Sequence, residues 1–353
     1  MLKTFDELLR DGVSLKASDI HLTHGAVPSC RVDGKICELS REVLTPSDTA
    51  AIVDSLLNAK QKKAFLEDNE ADLAYSLADV GRFRVNVFRQ RGGSAIVARA
   101  LNPTIPSPEV LGIPEAVVKM TEKRRGLVLV TGPTGSGKST TLASLIDIIN
   151  TKRPDHIITI EDPIEYVHKN KASLVNQREV GVDTNSFANA LRAALREDPD
   201  VILVGEMRDL ETISAAVTAA ETGHLVFSTL HTIGAANTID RIIDVFPPNQ
   251  QGQIRAQLAE TLECVVSQQL MVRRGGKGRV AALEVMFANS AIKSHIREGK
   301  TFQIPSTIQT NRKLGMISMD DALFELYENG DINSETALSY AQDRPALGRR
   351  LLV

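Results

Sequence analysis

The sequence has no tryptophan, 4% aromatic residues and three cysteines in 353 positions. With so few rings its cores have to be aliphatic, which suits Val/Ile-rich parallel strands covered by Ala/Leu-rich helices. Cys30, Cys37 and Cys264 are too few and too irregularly spaced for a disulfide framework, and no CxxC pair offers thiolates to zinc. A reducing compartment is expected. Charge surplus is missing too: 41 Lys and Arg against 44 Asp and Glu leave −3, so no global field draws the chain to nucleic acid or acidic lipid. No run approaches the roughly 20 apolar residues of a membrane span. The opening MLKTFDELLRDG also lacks the apolar stretch of a signal peptide. The expectation is a cytoplasmic protein with no membrane insertion of its own, reaching a membrane only through partners.

What is present reads as two domains, on the prior of roughly 100–200 residues each. Residues 1–101 mix short strands and helices: a helix begins at Phe5 to Leu9, a strand at Ser18 to Leu22, and a helix at Thr45 running to about Lys60. In Arg82 to Arg89, Phe83, Val85 and Val87 alternate with Arg82, Arg84 and Asn86, so this strand buries one face and shows arginines on the other. Gly92 and Gly93 suit a hairpin turn into a strand from Ala95 to Ala100. Residues 102–114, with Pro103, Pro106, Pro108 and Pro114, read as a semi-rigid linker without regular structure. Beyond it, apolar runs of buried-strand length (126–131, 155–160, 200–205, 224–231) alternate with helical segments at 139–149, 186–196 and 210–222. That pattern predicts an α/β domain with a parallel sheet and crossover helices at 115–289. Short helices at 290–298, 318–329 and 334–343 predict a helical region at 290–353.

Gly132, Pro133, Thr134, Gly135, Ser136, Gly137, Lys138 and Ser139 match G-x-x-x-x-G-K-[ST], directly after an apolar strand and before a helix. Glycines let the backbone curl so that its N–H groups converge on phosphate oxygens, and the helix start adds positive potential. Lys138 is expected to reach the β/γ-phosphates and Ser139 to ligate Mg²⁺. Glu206 ends a neighbouring strand, where ligands of open α/β sheets bind, and is the second candidate to hold the metal's water shell. Glu161, Asp162 and Glu165 crowd the end of a third strand; one of them should orient water for attack, and spacing does not choose among them. His224 and His231 bracket the fourth strand. Their odd offset sends them to opposite faces unless the strand ends before His231.

From Gly81 to Pro108 there are five arginines, Arg82, Arg84, Arg89, Arg91 and Arg99, and no Asp or Glu. Few rings accompany them for base stacking. Guanidinium groups spread phosphate charge well, so the better reading delivers them to an ATP γ-phosphate from the same chain or a neighbour.

Together the segments SDIHL (18–22), RFRVNVF (82–88), RGLVLVTGPTGSGKSTTLA (125–143), TIEDPIEYVH (159–168), VNQREVG (175–181), ALRAALREDPDVILVGEMRDLET (190–212), AAETGHLVFSTLHT (219–232) and TIDRIIDVFP (238–247) resemble the secretion ATPase superfamily, in its GspE/PilT family and the pilus-retraction branch of it. The resemblance runs nearly end to end. It implies a hexameric ring of chains, each with an N-terminal PAS-like α+β domain on a RecA-like P-loop ATPase domain, using ATP and Mg²⁺. It implies ATP contacts from Gly132 through Thr140, metal contacts from Ser139 and Glu206, and Glu165 as the catalytic glutamate. Lys138, His224, His231, Arg82, Arg84 and Arg99 complete the implied catalytic set. The implied function is a motor that removes pilin subunits for twitching motility. Its implied partners are an inner-membrane pilus platform protein and a second retraction ATPase, with the chain peripheral at the inner face of the cell membrane. No nucleic-acid partner is expected. A helix of this branch reads AIKSHIRE here (291–298), departing at Lys293, Ser294 and His295. The alternatives are a pilus-assembly or type II secretion ATPase, disfavoured by the short N-terminal region and the missing tetracysteine insert, and a nucleic-acid-stimulated RecA-type translocase.

Overall fold

The computed structural model describes residues 3–351 apart from Asp33, Asn102 and Pro103. By its contacts the chain forms two compact units. The first runs to Thr104 and includes Pro163–Val167; the second takes the remainder from Ile105 onward. The linker read at 102–114 begins on Asn102 and Pro103, which lie outside the described residues.

The first unit is built on a six-stranded antiparallel sheet: β1 (Asp19–Thr23), β2 (Ser29–Val32), β3 (Lys35–Glu38), β4 (Glu70–Leu77), β5 (Gly81–Gln90) and β6 (Gly93–Ala100), in the order β3-β2-β1-β6-β5-β4. Helices Phe5–Ser14 and Pro46–Leu56 contribute Leu8, Leu9, Ile52 and Val53 to its core, together with Phe83, Val85 and Val87 of β5. The alternation of β5 is the one the sequence predicts. Two expectations change. The single helix from Thr45 to about Lys60 is two helices, Pro46–Leu56 and Ala59–Asp68. The Asn58 side chain accepts the Gln61 N–H at 2.9 Å and caps a new helix there. The β5–β6 turn also falls one residue early, on Arg91 and Gly92, both at positive φ, and Gly93 pairs with Gln90 as part of β6.

The second unit carries a seven-stranded sheet: β7 (Gly126–Thr131), β8 (His156–Glu161), β9 (Leu174–Glu179), β10 (Val201–Val204), β11 (Leu225–Leu230), β12 (Leu262–Val272) and β13 (Arg279–Phe287), in the order β13-β12-β7-β11-β10-β8-β9. Strands β12 through β9 run parallel and β13 is antiparallel to β12. β7, β10 and β11 are buried at every position, as strands covered on both faces must be. This is the strand and helix alternation expected of a RecA-like domain. Helices 290–298, 304–310, 319–328, 334–340 and 344–350 follow. The proline-rich stretch is not devoid of regular structure: Pro108–Leu111 makes a helical turn, with Pro108 in its first turn and Gly112 in the left-handed conformation at its end.

Candidate functional site

β7 ends at Thr131 and the chain turns through Gly132–Gly137 into helix Lys138–Lys152. Gly137 stands at the N-cap with φ of 89°, a conformation that suits glycine, and no side chain caps the helix. The first-turn N–H groups are thereby left for an anion rather than spent on a capping oxygen. Lys138 is 9% exposed, and its ammonium donates to the carbonyls of Gly132 at 2.9 Å and Pro133 at 3.0 Å. Those are bonds a phosphate can replace.

Parallel pairing brings the carboxyl ends of β7, β10 and β11 to the same edge. There Glu206 places one oxygen 2.7 Å from Arg208 Nε and the other 3.4 Å from His231 Nε2. The His231 Nδ1 lies 3.4 Å from the Thr134 hydroxyl of the loop. A polar chain therefore runs from Thr134 through His231 and Glu206 to Arg208. It borders a cleft of about 470 Å³ that Thr134, His231 and Arg241 help to line. β11 stops at Leu230, so His231 is free of the strand's alternation.

His224 is not brought to this edge. It precedes β11 at the opposite end, about 20 Å away by the rise of a strand, and its Nδ1 pairs with the Ala219 carbonyl at 2.9 Å. Glu161, on β8, has one carboxylate oxygen taken up by Thr159 at 2.6 Å and Gln177 at 3.0 Å. Glu165 is exposed and belongs by its contacts to the first unit.

Within that first unit Arg82 and Arg84 share a face of β5, and β6 sets Arg99 directly opposite Arg84. Three arginines spread over eighteen positions thus share one sheet face. Like charges opposite each other repel, and here carboxylates from other strands answer the facing pair, Arg84 and Arg99. Arg99 Nε donates to Asp19 at 2.8 Å, and Arg84 Nε is 3.8 Å from Asp72. Burial pushes the Asp19 carboxyl up, but hydrogen bonds from Arg99 and Ser18 bring it below the usual range. The acid-free window of the sequence is not acid-free in space.

Sequence reasoning missed β12 and β13, and with them a buried polar group. Ser267 accepts the Gly234 N–H at 2.8 Å, and Gln268 bonds the phosphate loop and its helix. On β13, Glu284 accepts from the N–H of Ala235 at 2.6 Å and of Met319 at 3.3 Å. Its carboxyl is pushed up by burial against these bonds. The available signal was three consecutive polar residues, Ser267 to Gln269, inside an otherwise apolar run.

Residues 1–295 match the family model described as type II/IV secretion system protein. The chain is 50% identical over 336 residues to the type IV pilus retractation ATPase PilT of Pseudomonas aeruginosa, covering 95% of this chain and 97% of that protein. It is 41% identical over 337 residues to the type IV pilus ATPase PilU of the same organism, covering 96% and 88%. Among solved structures, that of the pilus retraction motor PilT with bound ADP superposes with a TM-score of 0.92 at 50% identity, over 99% of this chain and 100% of that one. The match spans both sheets and the loop that joins β7 to its helix, and the chain belongs to the type II/IV secretion system protein family.

Proposed function

We propose that this chain is an ATP-hydrolysing motor that drives type IV pilus retraction, withdrawing pilin subunits and so powering twitching motility. The observation that carries the reading is a complete phosphate loop, Gly132–Ser139, in a chain half identical, nearly end to end, to a retraction ATPase. The working assembly is a homo-hexamer held at the inner face of the cell membrane by a pilus platform protein, with a second retraction ATPase as a further partner. Among the described residues no helix is long and apolar enough to cross a membrane.

In the proposed cycle the Lys138 ammonium leaves the carbonyls of Gly132 and Pro133 for β- and γ-phosphate oxygens. The loop N–H groups and the uncapped helix start, with Thr140 in its first turn, take the remaining charge. The Ser139 hydroxyl and the Glu206 carboxylate are the hard oxygen donors that would hold Mg²⁺, a cation that needs only one or two from a protein. When bound, that cation neutralises charge developing on the phosphates. His231 holds Glu206 and touches the loop through Thr134, so it is suited to register whether the γ-phosphate is present. Glu165 orients the attacking water. Arg82, Arg84 and Arg99 take the arginine-finger role, whether in the same chain or for a neighbour. His224, bonded to Ala219, acts by positioning.

Deleting the gene should leave cells with surface pili but without twitching. Bald cells would instead make the chain an assembly ATPase. Strong stimulation of the purified ATPase by single-stranded DNA, steeply lost with salt, would favour a translocase.

A further inference from the structure

We propose that Gln268, on β12, is a positioning residue that holds the phosphate loop in its nucleotide-binding shape. The inference rests on reading Gly132–Ser139 as the nucleotide site. β12 lies beside β7 with Ser267 level with Thr131, so Gln268 stands level with the first residue of the loop. Its side chain is part of a residue only 4% exposed, where an amide has to find partners or stay costly.

Both partners belong to the loop or its helix. Gln268 Nε2 donates to the Ser136 carbonyl at 2.6 Å, and Gln268 Oε1 accepts from the Thr141 hydroxyl at 2.8 Å. The amide orientation follows from chemistry: a carbonyl only accepts, so the NH₂ has to face Ser136. Thr141, 2% exposed, is in the first turn of the helix that starts at Lys138. One planar group therefore ties the last turn of the loop to the first turn of the helix.

The consequence reaches the ligand side through peptide geometry. In a trans peptide the C=O and the following N–H point in opposite directions. Holding the Ser136 carbonyl toward β12 turns the Gly137 N–H away from β12, so that it stays free for phosphate. Two glycines of the motif also make room for Gln268. A Cβ on Gly137 would lie 2.8 Å from Gln268 Nε2, and one on Gly132 would lie 2.1 Å from the Gln268 main-chain oxygen. Part of the glycine pattern of this loop is thus explained by a residue more than 130 positions away.

The test uses the full-length chain, with steady-state ATPase kinetics, ADP affinity by calorimetry and melting of the nucleotide-free protein. Gln268→Met keeps the length and removes both hydrogen bonds. The expected result is an ATP KM and an ADP Kd raised about tenfold, with kcat falling by less than about threefold. Gln268→Glu keeps an acceptor for Thr141, loses the bond to Ser136 and sets a negative charge against the loop, so its KM should rise further. Thr141→Val breaks one bond and should raise KM by about threefold. Wild-type KM and Kd in Gln268→Met would overturn the proposal, as would a melting temperature that drops while KM stays unchanged. Should Gln268→Met fail to fold, Gln268→Glu and Thr141→Val decide in the same way. Lys138→Ala separates this from the underlying reading: if that variant binds ADP and hydrolyses ATP like the wild type, the site assignment fails whatever Gln268 does.

Discussion

The two sheets use their strands in opposite ways. β5 alternates, burying Phe83, Val85 and Val87 and presenting Arg82 and Arg84 on its other face, so chemistry can be carried at any second position along it. β7, β10 and β11 are buried throughout, so every position along them is committed to packing and only their ends are available. Glu206, His231 and the phosphate loop all lie at such ends. A parallel sheet covered on both faces therefore leaves only its ends for polar groups, whereas an antiparallel sheet with one alternating face can carry an array of like charges along its length.

Substitutions should separate the two uses of a strand. Phe227→Ala in the middle of β11 should cost most, about 3–5 kcal/mol in chemical denaturation, because the fully buried ring leaves a cavity. Next is acid sensitivity in the second unit. The His168 imidazole is pushed down to about 4 by burial, with Asp147 opposing that shift and Lys171 adding to it. Its folded value lies below its unfolded one, so the folded state favours the neutral ring. The stability this brings is present above the unfolded value near 6.5 and is lost as pH falls toward 4. Between pH 7 and pH 5 urea unfolding should show a loss of about 2 kcal/mol, and His168→Leu should remove that part of the slope. A smaller contrast separates the two ends of β11. His231→Ala should lower kcat by about tenfold or more and His224→Ala by less; the reverse order would contradict a site confined to the carboxyl edge. The smallest effect is on β5, where Arg84→Ala should change stability by no more than about 0.5 kcal/mol, since its pairing with Asp72 is solvent-exposed and Arg99 opposes it.

Much of this arrangement is legible in the residues. The run Gly126–Thr131 is β7 residue for residue, the segment 290–298 is a helix, and the phosphate motif lies between a strand and a helix as its chemistry requires. Burial patterns succeed where a strand either alternates or is apolar throughout. They fail at β12, because Ser267, Gln268 and Gln269 are polar yet buried, satisfied by Gly234, by Ser136 and Thr141, and by the Tyr340 carbonyl. Such partners are remote in sequence, so no local window contains the reason these residues are there. β9 was missed for a different reason: Asn176, Gln177 and Arg178 lie on an edge strand that is only partly covered, and their polarity reads as loop. The arginine window shows the converse error. Its isolation from acids is a property of the chain, and folding removes it by pairing Arg99 with Asp19 across 80 positions.

In the proposed cycle ATP is held and hydrolysed at Gly132–Ser139 with the Lys138 ammonium on its phosphates. The decisive measurement is the steady-state ATPase activity of the Lys138→Ala variant. Turnover should fall by about a hundredfold or more while the nucleotide-free protein melts as the wild type does. Hydrolysis at the wild-type rate would contradict that cycle.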